Sequence, residues 1–232
     1  HSKSIYISSN DCSQAYDSVA PWAMETIYKY HGFPPTLIKL LVNMDKGQKG
    51  VILTSKGQSE QFEKLCGLGQ GSSLAPIKWN LFLDPLLRWQ DELEDKYTVG
   101  TERIGVIAFA DDTAWISTTE EGYHERMIRG SSYLNFFGVE YNGVKTKLLY
   151  NDPKRASLPQ AAKVTQIKTE KQTECTIMPR NEDTRILGGQ FNIDMSWRRA
   201  TSEHEKTTNR ITRILGKKKL NLTELSAIIN MV

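Results

Sequence analysis

The chain has 232 residues, 39% hydrophobic and 25% charged, with a formal net charge of +3, proportions ordinary for a globular fold of one large or two small domains. Three cysteines, Cys12, Cys66 and Cys175, are odd in number and far apart, which excludes a disulfide framework or a cysteine-type zinc site. No apolar run approaches the roughly 18 residues of a membrane span, so a soluble protein without a membrane partner is expected, in an intracellular setting with nucleus and cytoplasm not distinguished.

The chain opens on His1 rather than Met, with a strand-like run close behind, as expected of a fragment or a processed piece. From Met195 onward eight lysines and arginines face three acids, so that tail carries +5 and the remainder about −2. A basic terminal element suits a phosphate-contacting surface and equally a solvated helix face.

Residues 4–11 read as a strand that delivers Asp11 at its end. Ala20-Pro21 opens a helix, with proline in the first turn and Trp22, Ile27 and Tyr28 at helical intervals, while Asp17 reads as its cap. After Phe33-Pro34-Pro35, the residues Leu37, Leu40, Leu41 and Met44 mark a second amphipathic helix closing around Lys46-Gly47. Residues 51–54 and 61–65 flank Ser55-Lys56-Gly57-Gln58 as a hairpin.

Glycines then cluster in Gly67-Leu68-Gly69-Gln70-Gly71-Ser72-Ser73, which feeds an apolar helix over 77–89. Such a turn can bring backbone N–H groups close to a phosphate or a base. It matches neither the dinucleotide nor the P-loop pattern, so alone it is also readable as a flexible connector. Residues 91–103 are charged and loop-like.

Ile104 to Ala108 and Thr113 to Ile116 are apolar runs that meet at Phe109-Ala110-Asp111-Asp112, the pattern of a hairpin carrying two acids at its turn. Alone, Asp-Asp is ordinary turn chemistry; with Asp11 as a partner, the pair is placed to hold a divalent metal. Thr118-Thr119-Glu120-Glu121 offers an N-cap and first-turn acids for a helix reaching Phe137 and stopped by Gly138. An Asn142-Gly143 turn and a short strand follow, with Lys145 beside the turn. Residues 151–184 are polar and insertion-like, with short strands around 164–169 and 173–178, and residues 185–193 predict a further hairpin.

Taken in order, these motifs closely resemble the palm of reverse transcriptases, especially those of non-LTR retrotransposons and group II introns. Asp11-Cys12-Ser13-Gln14-Ala15-Tyr16-Asp17 looks like the first metal-binding motif, and Gly67 to Pro76 running into Asn80-Leu81-Phe82-Leu83-Asp84 like the next. Phe109-Ala110-Asp111-Asp112 is similar to the catalytic hairpin. Asn142-Gly143-Val144-Lys145 and Ile186-Leu187-Gly188-Gly189 are similar to the two motifs that follow.

The resemblance implies an α+β right-hand polymerase palm over residues 1–194, an antiparallel sheet backed by helices. It implies the truncated start of a basic helical thumb over 195–232 and fingers largely absent. It further implies template-directed transfer from a dNTP to a DNA primer on an RNA template, with a longer parent protein supplying the missing fingers or flanking domains. Two Mg²⁺ ions, replaceable by Mn²⁺, would activate the primer 3′-hydroxyl and stabilise the leaving pyrophosphate, and hard carboxylate ligands suit them. Asp11 and Asp111 would bridge the ions, with Asp112 supporting them and the Cys12 carbonyl as an added oxygen.

Tyr16 would lie under the incoming sugar and exclude a 2′-hydroxyl; a tyrosine packed behind the sheet is the competing reading. Gln70 and Gly71 would lie against nucleotide and template, where a missing Cβ permits close approach. Lys145 would protonate pyrophosphate, or else be a surface lysine at a turn. Gly69 and Ser72-Ser73 depart from the family, which often has a basic residue and Asp-Pro there. An alternative from another class is a catalytically inactive polymerase-derived module that binds RNA or a protein.

Overall fold

The computed structural model describes residues 4–69, 72–151, 163–166, 171–179, 182–186, 189–193, 201–202, 205–209 and 213. Two compact units divide the chain, His1–Arg180 and Asn181–Val232.

In the first unit, β1 (Ile5–Asn10) buries Tyr6, Ser8 and Asn10 and half-buries the residues between them, the alternation of a strand covered on one face. β2 (Cys12–Ser13) follows Asp11, and Gln14 in the left-handed region (φ +49) turns the chain into a single helical turn, α1 (Ala15–Ser18). α2 (Pro21–Tyr30) starts on proline as expected, yet no side chain caps it. Asp17 instead sits within α1 and pairs with Lys64 at 3.4 Å.

α3 (Pro35–Asp45) forms where expected but with another face inward: Ile38, Val42 and Asp45 are buried while Leu37, Leu40 and Met44 are exposed. Both stripes have helical spacing, and a buried ion pair from Asp45 to Lys78 settles which one faces in. The next segment is two nested ribbons. β3 (Gln48–Gly50) pairs with β6 (Phe62–Lys64), and inside them β4 (Leu53–Thr54) pairs with β5 (Gly57–Gln58).

α4 (Ala75–Asp91) carries Pro85 inside it. Proline has no N–H for the Leu81 carbonyl one turn back; the His31 ring supplies the donor instead, Nε2 to oxygen 3.1 Å. The charged stretch expected to be a loop is a small hairpin, β7 (Tyr97–Val99) with β8 (Glu102–Ile104). Strands of three residues with exposed charges give no alternation to detect.

β9 (Val106–Phe109) and β10 (Asp112–Ser117) form the acid-bearing hairpin. α5 (Glu120–Phe136) is capped by Thr119, whose Oγ1 accepts from Gly122 N at 3.0 Å. A Cβ on Gly130 would collide with the Tyr141 hydroxyl, so glycine there permits close packing against β11 (Glu140–Tyr141). β12 (Lys147–Asn151) follows, then the hairpin β13 (Lys163–Gln166) and β14 (Lys171–Glu174), and last β15 (Thr176–Ile177).

The principal sheet has five strands in the order β15-β12-β1-β10-β9, antiparallel except for β12 with β15. Directly paired residues share a face. The register Tyr6↔Ser117, Ser8↔Trp115 and Ser8↔Leu148 therefore turns Tyr6, Trp115 and Leu148 to one side. There they pack with Phe82 and Leu86 of α4 and Met127 and Leu134 of α5. Burying such side chains contributes about 1.5–3 kcal/mol each.

Arg126 is fully buried behind the hairpin and donates to Ser117 Oγ at 3.1 Å, to the Gln90 carbonyl at 2.7 Å and to the Asp95 carbonyl at 2.7 Å. A Cβ on Gly105 would collide with that guanidinium, so glycine between β8 and β9 leaves room for it. Among the described residues no helix is long and apolar enough to cross a membrane.

The second unit contains the hairpin expected at 185–193, as β16 (Thr184–Ile186) with β17 (Gly189–Phe191). In the basic segment, residues 201–202, 205–209 and 213 are helical. Leu187-Gly188 of that hairpin and, of the expected thumb, residues 195–200, 203–204, 210–212 and 214–232 lie outside the described residues.

Candidate active site

The hairpin turn is built on Ala110, which adopts φ +52, a left-handed conformation that non-glycine residues rarely take. It leaves Asp111 at the turn and Asp112 opening β10, paired with Phe109. Asn10 lies across from Thr113, and its side-chain amide donates to the Thr113 carbonyl at 3.3 Å. Asp11 follows directly on Asn10 at the end of β1, as Asp112 directly precedes Thr113 at the start of β10. By strand alternation Asp112 belongs to the sheet face opposite that of Thr113 and Trp115, the one turned away from α4 and α5.

Asp11 is fixed from a third direction. Its carbonyl accepts from Asn142 N at 2.8 Å, while Asn142 holds a tight turn, accepting from Lys145 N at 3.1 Å and Thr146 N at 2.8 Å on its own carbonyl. That turn brings Lys145 Nζ to 3.5 Å from Asp11 Oδ2, with the lysine side chain 66% exposed. An ion pair so exposed is worth little net energy, so another cation can displace the ammonium at small cost. Burial pushes the Cys12 thiol up, and the charges of Asp11 and Asp111 push it further. The Tyr16 phenol is raised by burial and by Asp111. Both effects register the same carboxylate field at the mouth of the sheet.

Tyr16, on α1, stacks on Trp79 of α4 with ring centroids 5.4 Å apart and 28° between planes. Its carbonyl accepts from Leu68 N at 2.7 Å, and the Val19 carbonyl accepts from Gly67 N at 2.8 Å, so the glycine-rich loop is laced onto the segment bearing Tyr16. Gly67 takes φ +105, a conformation L side chains rarely adopt, and a Cβ there would come within 3.2 Å of the Asp17 backbone. Tyr16 is half-buried, between the two readings the sequence allowed. Gln70 and Gly71 lie outside the described residues.

The carboxylates of Asp11, Asp111 and Asp112 are hard oxygen donors at one end of one sheet, the chemistry a divalent ion of the Mg²⁺ type requires. Among the described residues no three His, Cys, Asp or Glu side chains converge closely enough to hold an ion. The donor types therefore fit such a cation, while its coordination shell is not assembled by the protein alone.

Residues 1–191 match the family model described as "Reverse transcriptase (RNA-dependent DNA polymerase)". The chain belongs to that family. It is 31% identical over 147 residues to the retrovirus-related Pol polyprotein from type-2 retrotransposable element R2DM of Drosophila melanogaster, covering 62% of this chain and 14% of that protein. It is 26% identical over 138 residues to the Pol polyprotein from type-1 retrotransposable element R2 of Nasonia vitripennis, covering 60% and 13%. The chain thus spans about one seventh of these relatives. Its fold is similar to that of the apo telomerase of Candida tropicalis truncated from its C-terminal domain, with TM-score 0.52, 15% identity and coverage of 75% of this chain and 36% of that one. The apo telomerase from the same organism gives TM-score 0.51 at 12% identity over 75% and 33%.

The reverse-transcriptase palm expected from the sequence, an antiparallel-rich sheet backed by helices, is the fold observed. Sequence reading missed two residues that shape this site. Trp79 read as one more apolar position of α4, although a buried indole needs a partner for its N–H. Asn10 was passed over as a strand residue, although a buried amide next to an acid signals a required hydrogen bond.

Proposed function

We propose that this chain is the palm of an RNA-directed DNA polymerase of non-LTR retroelement type, joining a dNTP to a primer 3′-hydroxyl on an RNA template inside the cell. The observation that supports this reading is the pairing of β1 with β10, which sets the end of β1, next to Asp11, beside the start of the strand that follows the Asp111-Asp112 turn. Two Mg²⁺ ions, or Mn²⁺, held by Asp11 and Asp111 with Asp112 and the Cys12 carbonyl, would ease ionisation of the 3′-hydroxyl and neutralise charge on the departing pyrophosphate.

The chain's own residues do the rest. The primer 3′-hydroxyl gives up its proton to water, its oxygen bonds to the α-phosphorus as the bond to the α,β-bridging oxygen breaks, and Lys145 Nζ gives its proton to the departing pyrophosphate. Lys145 is held near this place by its contact with Asp11. Tyr16, backed by Trp79, forms the floor beneath the sugar and leaves no room for a 2′-hydroxyl. By resemblance to the family, contact with nucleotide and template is assigned to Gln70 and Gly71. Triphosphate capture falls to a fingers region carried by a longer parent protein, in keeping with relatives of which this chain spans 14% and 13%.

The test is primer extension on poly(rA)/oligo(dT) with Mg²⁺ or Mn²⁺ by the full-length parent beside Asp111→Ala and Asp112→Ala variants. The parent should extend the primer and both variants should lose extension by at least about a hundredfold, the scale of removing a transition-state charge stabiliser. Extension by neither parent nor variants, with RNA binding retained, would leave the non-catalytic binding module as the correct reading.

A further inference from the structure

Trp79 lies about one turn into α4, is fully buried, and touches both halves of the site. Its only polar atom, Nε1, donates to the Ala110 carbonyl at 2.9 Å. One face of the same ring stacks on Tyr16 at 5.4 Å, and Phe82 packs against it at 5.3 Å. Ala110 is the left-handed residue directly before Asp111. Such a conformation costs about 1–3 kcal/mol and persists only where surrounding groups hold it. The indole N–H is a holder set in a packed interior, where an unmade hydrogen bond is itself costly.

The ring is rigid, so its two contacts are not independent. A shift that lengthens the hydrogen bond to Ala110 also moves the surface on which Tyr16 rests. A tilt of Tyr16 reaches the turn by the same path.

We propose that Trp79 is a positioning and specificity-determining residue, a strut that couples sugar choice at Tyr16 to placement of the Asp111 carboxylate. This rests on the polymerase reading above. A nucleotide whose sugar displaces Tyr16 strains the indole, lengthens its hydrogen bond to Ala110 and moves Asp111 off its position. Exclusion of a 2′-hydroxyl thereby acts on the rate of bond formation as well as on binding.

Two variants separate the functions. Trp79→Phe keeps an aromatic face for Tyr16 and deletes the donor. In the full-length parent it should lower kcat with dNTP about tenfold, the size of one lost hydrogen bond, leave KM within about twofold of wild type, and narrow the kcat difference between dNTP and rNTP. Trp79→Leu removes the stack as well and should raise relative rNTP use about tenfold. An unchanged kcat in Trp79→Phe, or an unchanged sugar preference in Trp79→Leu, overturns the proposal.

A second measurement does not depend on activity. In ¹⁵N-labelled protein the Trp79 indole signal is identified by its loss in Trp79→Phe. Tyr16→Leu should speed solvent exchange of that N–H about tenfold, and equal exchange rates overturn the coupling. Should the parent extend no primer, the polymerase reading falls while the exchange result still decides whether Trp79 links Tyr16 to the turn.

Discussion

The ion pair between Lys78 Nζ and Asp45 Oδ1, 2.5 Å apart with side chains 6% and 5% exposed, joins α3 to α4 one residue before Trp79. Among the described residues Asp45 Oδ2 has no hydrogen-bond partner, and the compensation seen for this carboxylate is Lys78. Lys78→Met keeps the length of the side chain and removes the charge, leaving a buried carboxylate unpaired; breaking a buried pair this way costs about 3–5 kcal/mol. At a urea slope of about 2 kcal/mol/M the unfolding midpoint should fall by about 1.5–2.5 M. Asp45→Leu should cost a similar amount. The double variant Asp45→Leu/Lys78→Met removes both charges and should come within about 1 kcal/mol of wild type, because desolvation of the pair nearly cancels its attraction. Equilibrium urea unfolding followed by fluorescence, completed as a double-mutant cycle, reads all four proteins. The reasoning fails if either single variant loses less than about 1 kcal/mol, or if the double variant is no more stable than the worse single.

Other perturbations address single contacts. Tyr16→Ala or Tyr16→Val should admit ribonucleotides, read as a rise in rNTP incorporation relative to dNTP; unchanged selectivity would return Tyr16 to a packing role. Gly130→Ala gains about 1 kcal/mol of helix propensity. It also drives a Cβ into the Tyr141 hydroxyl. Overpacking of about 1–3 kcal/mol should win, giving a lower melting temperature. At Asp95 burial opposes ionisation, but hydrogen bonds from Thr118 and Thr119 outweigh it and hold the carboxyl below its usual range. A depressed folded value means that this stabilisation is present above the unfolded pKa near 3.9. It is lost as pH falls through the lower folded value. Asp95→Asn should flatten the acid limb of stability measured against pH.

Where chemistry and backbone geometry coincide, the sequence was readable: the Asp-Asp turn, the Thr119 cap and the Pro21 start each need particular residue types at particular places. The inward face of α3 was not, because Leu37, Leu40 and Met44 form as regular a stripe as Ile38 and Val42, and the choice between them depends on Lys78, more than thirty positions away in sequence. The hairpin of β7 and β8 was hidden because its short strands turn their charges outward. Asp17 looked like a cap by spacing alone, while Lys64, brought to it by the fold of the glycine-rich loop, gives it a different partner. At the site, the sequence offered Asp11 and Asp111 as partners by motif, and the fold adds the pairing of the strands, β1 and β10, that adjoin them. The indole that braces the turn was not, since a tryptophan in an apolar helix carries no mark of where its N–H points.

The alternation along β1 makes strand length a hidden part of the chemistry. Deleting one residue between Ile5 and Asn10, with the register to β10 and β12 kept up to that point, rotates everything after it by half a period. Asp11 would then face α4 and α5 across the core instead of standing beside Asp112. Every recognisable motif would remain spelled correctly in such a chain, yet its acids would lie on opposite sides of the sheet. Parity, then, must be inherited along with the letters, and a copy that keeps all its signature residues can still be out of phase with itself.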